Sequence, residues 1–321
     1  MAEQDSGMHL DVIIPTYNRD DSLPRALQSL AQATVPAGLT VGITVVDNNS
    51  TDNTRLVTEQ WQSRFPGPLQ YVFEKRQGRS HALNAGIAST EGDLLGFVDD
   101  DEEVDKSWFE CIQHAFSTWD IDFLGGPYIP KWESEPPRWL PAEYCGVVGD
   151  INGGNEVANY DEHYPGILMG GNAVLTRKII TKVGCYLTSV GRSGQRLLAG
   201  EDEDMYRRLL AANARGIYFP SLRVFHHVPQ NRMTRSYFRK WCFWRGVSCG
   251  VLDHRRPLDV AYLGGVPRYL YGRAARGLWR NLVSPLRKTN DPSKLFADRL
   301  ATFDLIGYLY GKHFYSPEDQ S

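Results

Sequence analysis

Five consecutive acids, Asp99-Asp100-Asp101-Glu102-Glu103, end the short apolar run Leu94-Leu95-Gly96-Phe97-Val98. Carboxylates set side by side repel one another and hold protons more tightly unless a cation neutralises them. Hard oxygen donors of this kind suit Mg2+, Mn2+ or Ca2+. The same residues also suit a solvated acidic turn that opens a helix, with Asp105 as N-cap before Trp108-Phe109, because acids are favoured at a helix N-terminus. A second run, Glu201-Asp202-Glu203-Asp204, precedes Met205, Leu209, Leu210 and Ala212, which are apolar and on a helical spacing. One or two acids suffice to cap a helix, so four in a row after the polar loop 189–200 leave at least one available to face a cleft. His226-His227 closes a predicted strand over 222–225. Adjacent strand residues point to opposite faces, so one of the two histidines is a candidate for a metal or phosphate contact and the other is not.

The elements that must position these groups follow an α/β pattern. Asp11-Val12-Ile13-Ile14-Pro15 reads as a first strand, and Leu23, Ala26, Leu27 and Leu30 repeat at helical spacing behind the cap candidates Asp20 and Asp21. Residues 41–46 form a second strand ending in Asp47, and Asn48-Asn49-Ser50-Thr51-Asp52 then caps a helix reaching about Phe65. A third strand over 69–73, a helix over 81–88 and a fourth strand ending in the acids complete a parallel sheet. Thr16-Tyr17-Asn18-Arg19, Asp47-Asn48-Asn49 and Asp99-Asp100-Asp101 all fall at carboxyl ends of strands, the edge where open α/β sheets bind ligands. No GxGxxG follows the first strand and no GxxxxGK[ST] occurs, so a nucleotide must be held in another way. From 130 to 164 the pattern dissolves, and Trp132 and Trp139 there either stack sugar rings or simply pack. A strand over 167–175 carries Gly170-Gly171, which lets a ligand or backbone approach closely. Residues 217–220 give another short strand.

Composition removes several classes. A formal charge of -3 argues against nucleic acid as a partner, and an apolar content of 42% argues against disorder except at the ends. Five cysteines without a CxxC indicate neither a disulfide framework nor structural zinc, and a cytoplasmic location fits them. The polar start, 1–7, has no signal-peptide core, and no apolar run is long enough to span a bilayer. After Asn231 the chain is rich in arginine and aromatics. There Tyr271, Ala275, Leu278 and Leu282 share one helical face, and Arg273, Arg276, Arg280 and Arg287 share the other, with Pro285 kinking the end. Such a helix either packs its apolar face on the domain or lies on the inner face of a membrane through residues 264–288. A last helix runs over 294–313, and 316–321 fray.

In order, Val12-Ile13-Ile14-Pro15-Thr16-Tyr17-Asn18-Arg19, Val45-Val46-Asp47-Asn48-Asn49-Ser50-Thr51-Asp52, Gly78-Arg79-Ser80 with Leu83-Asn84-Ala85-Gly86, Val98-Asp99-Asp100-Asp101 and Gly200-Glu201-Asp202-Glu203-Asp204 resemble family-2 glycosyltransferases of the GT-A fold. The resemblance spans about 10–230. It implies a Rossmann-like, mixed and mostly parallel sheet flanked by helices over 1–230, with a nucleotide half at about 10–128 and an acceptor half at about 129–230. Residues 231–321 would be a helical extension. The implied activity is metal-dependent, inverting transfer from a nucleoside-diphosphate sugar, UDP-linked by preference, to a hydroxyl of a glycan, a lipid-linked precursor or a small molecule. By similarity Pro15, Thr16, Tyr17 and Arg19 line the nucleoside pocket, Asp47 receives the base N–H, and Arg79 and Asn84 contact the nucleotide. Asp99 and Asp101 form the DxD motif, with Asp101 on Mn2+ or Mg2+ and Asp99 or Asp100 on the ribose. Asp99, His226 or His227 can add a metal contact. Asp202 is the base, with Glu201 the alternative, and Glu102 and Glu103 fall back to opening the next helix. Asn48 departs from the family pattern, which often has an acid there. Two other readings remain: a nucleotidyltransferase or metal phosphohydrolase, and a non-catalytic sugar-nucleotide or glycan-binding module.

Overall fold

In the first strand, β1 (Met8–Thr16), Leu10, Val12 and Ile14 enter one hydrophobic cluster and Ile13 enters another. The strand is therefore covered on both faces, as strands of parallel sheets are. The computed structural model describes residues 7–192, 196–255, 257–284 and 291–315. The polar start before Gly7, residues 193–195 of the 189–200 loop, Pro285 with its expected kink, Arg287 and the end at 316–321 lie outside the described residues.

The chain continues through α1 (Leu23–Gln32), β2 (Leu39–Asp47), α2 (Thr54–Gln62), β3 (Leu69–Phe73), α3 (Arg79–Ala88), β4 (Leu94–Phe97), β5 (Glu102–Val104) and α4 (Trp108–Thr118). Then come β6 (Phe123–Gly125), β7 (Tyr128–Trp132), β8 (Ala158–Asn159), β9 (Ala173–Thr176), α5 (Arg177–Val183), α6 (Glu201–Ala211), β10 (Gly216–Tyr218) and β11 (Val224–Val228). The main sheet has the order β3-β2-β1-β4-β9-β6-β10-β8. β3, β2, β1 and β4 are parallel, and β9 runs antiparallel to β4 and β6. Because β2 and β4 lie on opposite sides of β1, the winding reverses beside it. A crevice at the carboxyl ends is expected at such a point; Thr16 ends β1 and Asp99 comes shortly after β4, the two strands that flank it.

Two compact units emerge. One runs to Ile129 and resumes over Ile151–Thr188 and Glu201–His226; the other comprises Pro130–Asp150, Ser189–Gly200 and the chain from His227. Segments assigned by sequence to an acceptor half thus group with the C-terminal unit. Its long helices are α7 (Arg235–Arg255) and α9 (Pro292–His313). They meet at backbone distance: a Cβ at Gly246, Gly250, Gly307 or Gly311 would strike the partner helix's main chain. A hairpin of β12 (Tyr262–Leu263) and β13 (Val266–Pro267) leads into α8 (Arg268–Val283), which also packs on α9. Trp139 stands edge-on to Phe238 and Phe296, and Trp132 joins the same cluster, so both pack inside this unit. Among the described residues no disulfide joins the five cysteines.

Several local expectations give way to tertiary structure. Ser22, not Asp20 or Asp21, is the N-cap of α1, and the Asp20 carboxylate instead accepts the Asn53 amide at 3.3 Å. Ser107 caps α4, and Asp105 serves it by accepting the Ser107 amide and hydroxyl at 3.0 and 2.8 Å. Glu102 and Glu103 open no helix; they form β5, paired antiparallel with β11. The strand expected over 167–175 is confined to Ala173–Thr176, because Gly170–Asn172 turn in a 3-10 helix just before it.

Candidate active site

The loops after β1 and β2 are joined by hydrogen bonds. Asn18 adopts a left-handed conformation (φ 52°), donates its amide to the Ser50 hydroxyl at 2.9 Å and accepts the Thr51 amide at 2.8 Å. The Arg19 amide donates to the Thr54 hydroxyl at 3.2 Å. Pro15 and Thr16 are buried at the strand end, while Tyr17 is exposed. Asp47 is buried and already engaged, accepting the Tyr71 hydroxyl at 2.8 Å and the Ser50 amide at 2.8 Å. Asn48 explains its own departure from the family pattern. Its amide donates to the Glu74 and Arg76 carbonyls at 3.2 and 2.7 Å and accepts the Gly78 amide at 2.7 Å. A carboxylate could not make the first two bonds. The side chain thus shapes the turn that delivers Arg79, at the start of α3.

Arg79 is the centre of the site. Its guanidinium lies 2.8 Å from Asp99 and 3.3 Å from both Glu201 and Asp202, which joins the end of β4 to the start of α6. These three carboxylates together raise its already high pKa against the cost of burial. The second oxygen of Asp202 accepts the Gly170 amide at 3.0 Å. Glu102, only 1% exposed, accepts the Asp99 amide at 3.0 Å. A Cβ on Gly171 would stand 2.6 Å from both Glu102 carboxylate oxygens and 2.9 Å from Asp99, and one on Gly170 would collide with Asp202. The sequence marked this glycine pair as a place of close approach, and what approaches it is the acid cluster.

Burial, then Asp99 and Asp101, push the Glu102 carboxyl well above the usual carboxylate range. Burial and then Asp101 push Asp100 up to about 7, against the opposing pull of Arg19, 3.8 Å away. The Tyr128 hydroxyl is buried without a hydrogen-bond partner, and its pKa is raised by burial first and then by Glu102, Asp99 and Asp202. The register that pairs His226 with Glu102 also brings His226 within 3.6 Å of Asp101. Burial alternates along β11, so His227 points to the other face.

The structure therefore brings together Arg79, Asp99, Glu201 and Asp202, and sets Asp101 beside His226 and Asp100 beside Arg19. The Asn84 amide donates to and accepts from the Tyr186 main chain at 2.9 and 2.8 Å, a strut between α3 and the chain after α5. Glu102 was marked only as part of the acid run, and Tyr128 not at all. Glu102 looked like a helix opener, and nothing near Tyr128 distinguishes it from a packed aromatic.

Asp100 and Glu102 bind protons more tightly folded than unfolded. Their contribution to stability is complete below the ordinary carboxylate value and is lost as pH rises through the raised one. In metal-free buffer the contribution of these two groups to the melting temperature should therefore fall as pH rises between 3.8 and about 7. Asp100→Asn should flatten that fall; a slope equal to the parent's would show that Asp100 does not carry it.

The chain belongs to glycosyl transferase family 2, whose family model matches residues 11–184 of the 321, and is a glycosyltransferase. The succinoglycan biosynthesis protein ExoM of Rhizobium meliloti is 28% identical over 246 residues, 76% of this chain and 75% of that protein. Glucosyl-dolichyl phosphate glucuronosyltransferase of Haloferax volcanii is 25% identical over 253 residues, 77% of this chain and 78% of its own. Among solved structures, the mannosyltransferase PcManGT of Pyrobaculum calidifontis, in complex with GDP-Man and Mn2+, matches with a TM-score of 0.59 at 16% identity, covering 96% of this chain and 88% of that one. TarS of S. aureus in complex with UDP matches with a TM-score of 0.54 at 15% identity, covering 95% and 90%. The fold is of the GT-A type with a helical C-terminal region.

Among the described residues no three His, Cys, Asp or Glu side chains converge as a ready metal site. The donor set nevertheless suits a hard dication that keeps positions for substrate phosphate oxygens, since such ions are held by one or two carboxylates plus the substrate. Asp99 and Asp101 would supply the carboxylates, His226 stands 3.6 Å from Asp101, and the Glu102 carboxyl is pushed up by burial first and then by Asp99 and Asp101.

Proposed function

We propose that this glycosyltransferase uses a nucleoside-diphosphate sugar, UDP-linked by preference, and transfers the sugar with inversion to a hydroxyl of a glycan or lipid-linked acceptor, assisted by Mn2+ or Mg2+. The observation that carries the reading is the shared guanidinium of Arg79. It holds Asp99, from the nucleotide side of the sheet, together with Asp202, from the helix that would supply the base. Thr16, Tyr17, Arg19, Asp47 and Asp100 stand at the strand edge where the nucleoside would lie. Asp101, with Asp99 and His226, would hold the dication, which supplies charge neutralisation of the departing diphosphate. Arg79 adds fixed positive charge to the same end. Asp202 takes the proton from the acceptor hydroxyl as its oxygen bonds to the anomeric carbon and the bond from that carbon to the diphosphate oxygen breaks. Support for a sugar-nucleotide donor comes from PcManGT and TarS, solved with GDP-Man and UDP. Support for a glycan or lipid-linked acceptor comes from ExoM, named for succinoglycan biosynthesis, and from the glucuronosyltransferase, named for glucosyl-dolichyl phosphate.

The test is release of nucleoside diphosphate from a panel of UDP- and GDP-sugars, with Mn2+, with Mg2+ and with a chelator. Turnover that requires a divalent ion and favours one donor is expected, with the product's anomeric configuration inverted by NMR. Cleavage of nucleoside triphosphates or simple phosphoesters in place of sugar transfer would overturn the proposal in favour of nucleotidyl or phosphohydrolase chemistry.

A further inference from the structure

Helix α8 leaves an apolar stripe open. It packs on α9 through buried Leu270, Ala274 and Gly277, with Gly277 so close to the Asp298 carbonyl that a Cβ would collide. On that same face Asn281 donates to the Leu295 carbonyl at 3.2 Å. At about 100° per residue the packed face excludes Leu278, Trp279 and Leu282. These are 56%, 63% and 73% exposed, so this apolar side of the helix is left in solvent. Exposed Arg273, Arg276 and Arg280 line the remaining side, and Arg280 also pairs with Asp298 at 3.2 Å.

Scattered surface leucines need no explanation, but two leucines and a tryptophan together, bordered by arginines, do. The charge selects the occupant. A second copy of this chain would add the same positive charge to the border of the contact, where like charges do not favour association. An anionic lipid surface offers apolar depth and negative headgroups in the arrangement that this helix presents. Among the described residues no helix is long and apolar enough to cross a membrane, so the contact would lie flat.

We propose that α8 docks the protein on an anionic bilayer surface, with Leu278, Trp279 and Leu282 at the boundary between headgroups and acyl chains and Arg276 and Arg280 on lipid phosphates. The inference does not depend on the catalytic assignments. The test is sedimentation of the full chain with phosphatidylcholine vesicles and with vesicles containing phosphatidylglycerol. Wild type should pellet with the anionic vesicles only, and added salt should release it. Trp279→Ser with Leu282→Ser, and separately Arg276→Glu with Arg280→Gln, should each weaken binding roughly tenfold or more, with melting temperatures unchanged. Wild type left in the supernatant with both vesicle types, or both variants pelleting like wild type, would overturn the proposal. So would a wild-type dimer in solution that Trp279→Ser with Leu282→Ser dissociates, because that outcome assigns the stripe to self-association.

Discussion

Asp202→Asn is expected to lower kcat by about 10² to 10⁴, the range that a positioned general base supplies, while leaving nucleoside-diphosphate affinity unchanged. Asparagine keeps the volume and can still accept the Gly170 amide, but it cannot take a proton. Glu201 is the competing candidate, and accessibility separates the two. Both touch Arg79 at 3.3 Å, but the Glu201 side chain is 6% exposed and that of Asp202 is 19% exposed. A base must be reached by the acceptor, so Glu201→Gln should cost less than Asp202→Asn. Initial rates with saturating donor, alongside calorimetric titration of nucleoside diphosphate, provide the check. If Glu201→Gln is the more damaging change and Asp202→Asn turns over normally, the base is misassigned. If both lose nucleotide binding instead, the acids serve the Arg79 cluster and not proton transfer.

The parts of this site that could be read from sequence are those set by local pattern. Strand β1 shows its burial in the apolar run Val12-Ile13-Ile14-Pro15, and the polar residues at the ends of β1, β2 and β4 mark the ligand edge because chain direction alone puts them there. Glu102 was misread because a three-residue strand and a helix-opening acid look alike locally. What decides between them is pairing with β11, far along the chain, and the same pairing delivers His226. Asn48 could be seen as a departure, but its function needs the Glu74, Arg76 and Gly78 main-chain groups in place around it. Helix α8 shows a different limit. Large apolar residues at helical spacing left packing and membrane contact both open, whereas α8 approaches α9 through Ala274 and Gly277. Small side chains permit the closest contact, and a count of hydrophobic residues passes over them.

Arg79→Met should destabilise the protein by about 3–5 kcal/mol at neutral pH, the cost of leaving buried charges without their partner. Methionine preserves much of the aliphatic volume, so packing loss contributes little. Three carboxylates lose one cation: Asp99, Glu201 and Asp202. Beside them Glu102 already has a raised pKa. Without the guanidinium, whose charge opposes that rise, the Glu102 carboxyl should be pushed up further. The stability that Glu102 contributes is complete below the ordinary carboxylate range and is lost as pH rises through its raised value. The deficit of the variant against wild type should accordingly be large at alkaline pH and shrink toward pH ~4. Mn2+ should raise the variant's melting temperature more than that of wild type, because a dication bound by the native state offsets part of the same excess charge. Denaturant unfolding of both proteins at several pH values, with and without Mn2+, measures each effect. A deficit that stays constant across pH would mean that Arg79 stabilises by packing, and the charge-centred account of the cluster would fail with it.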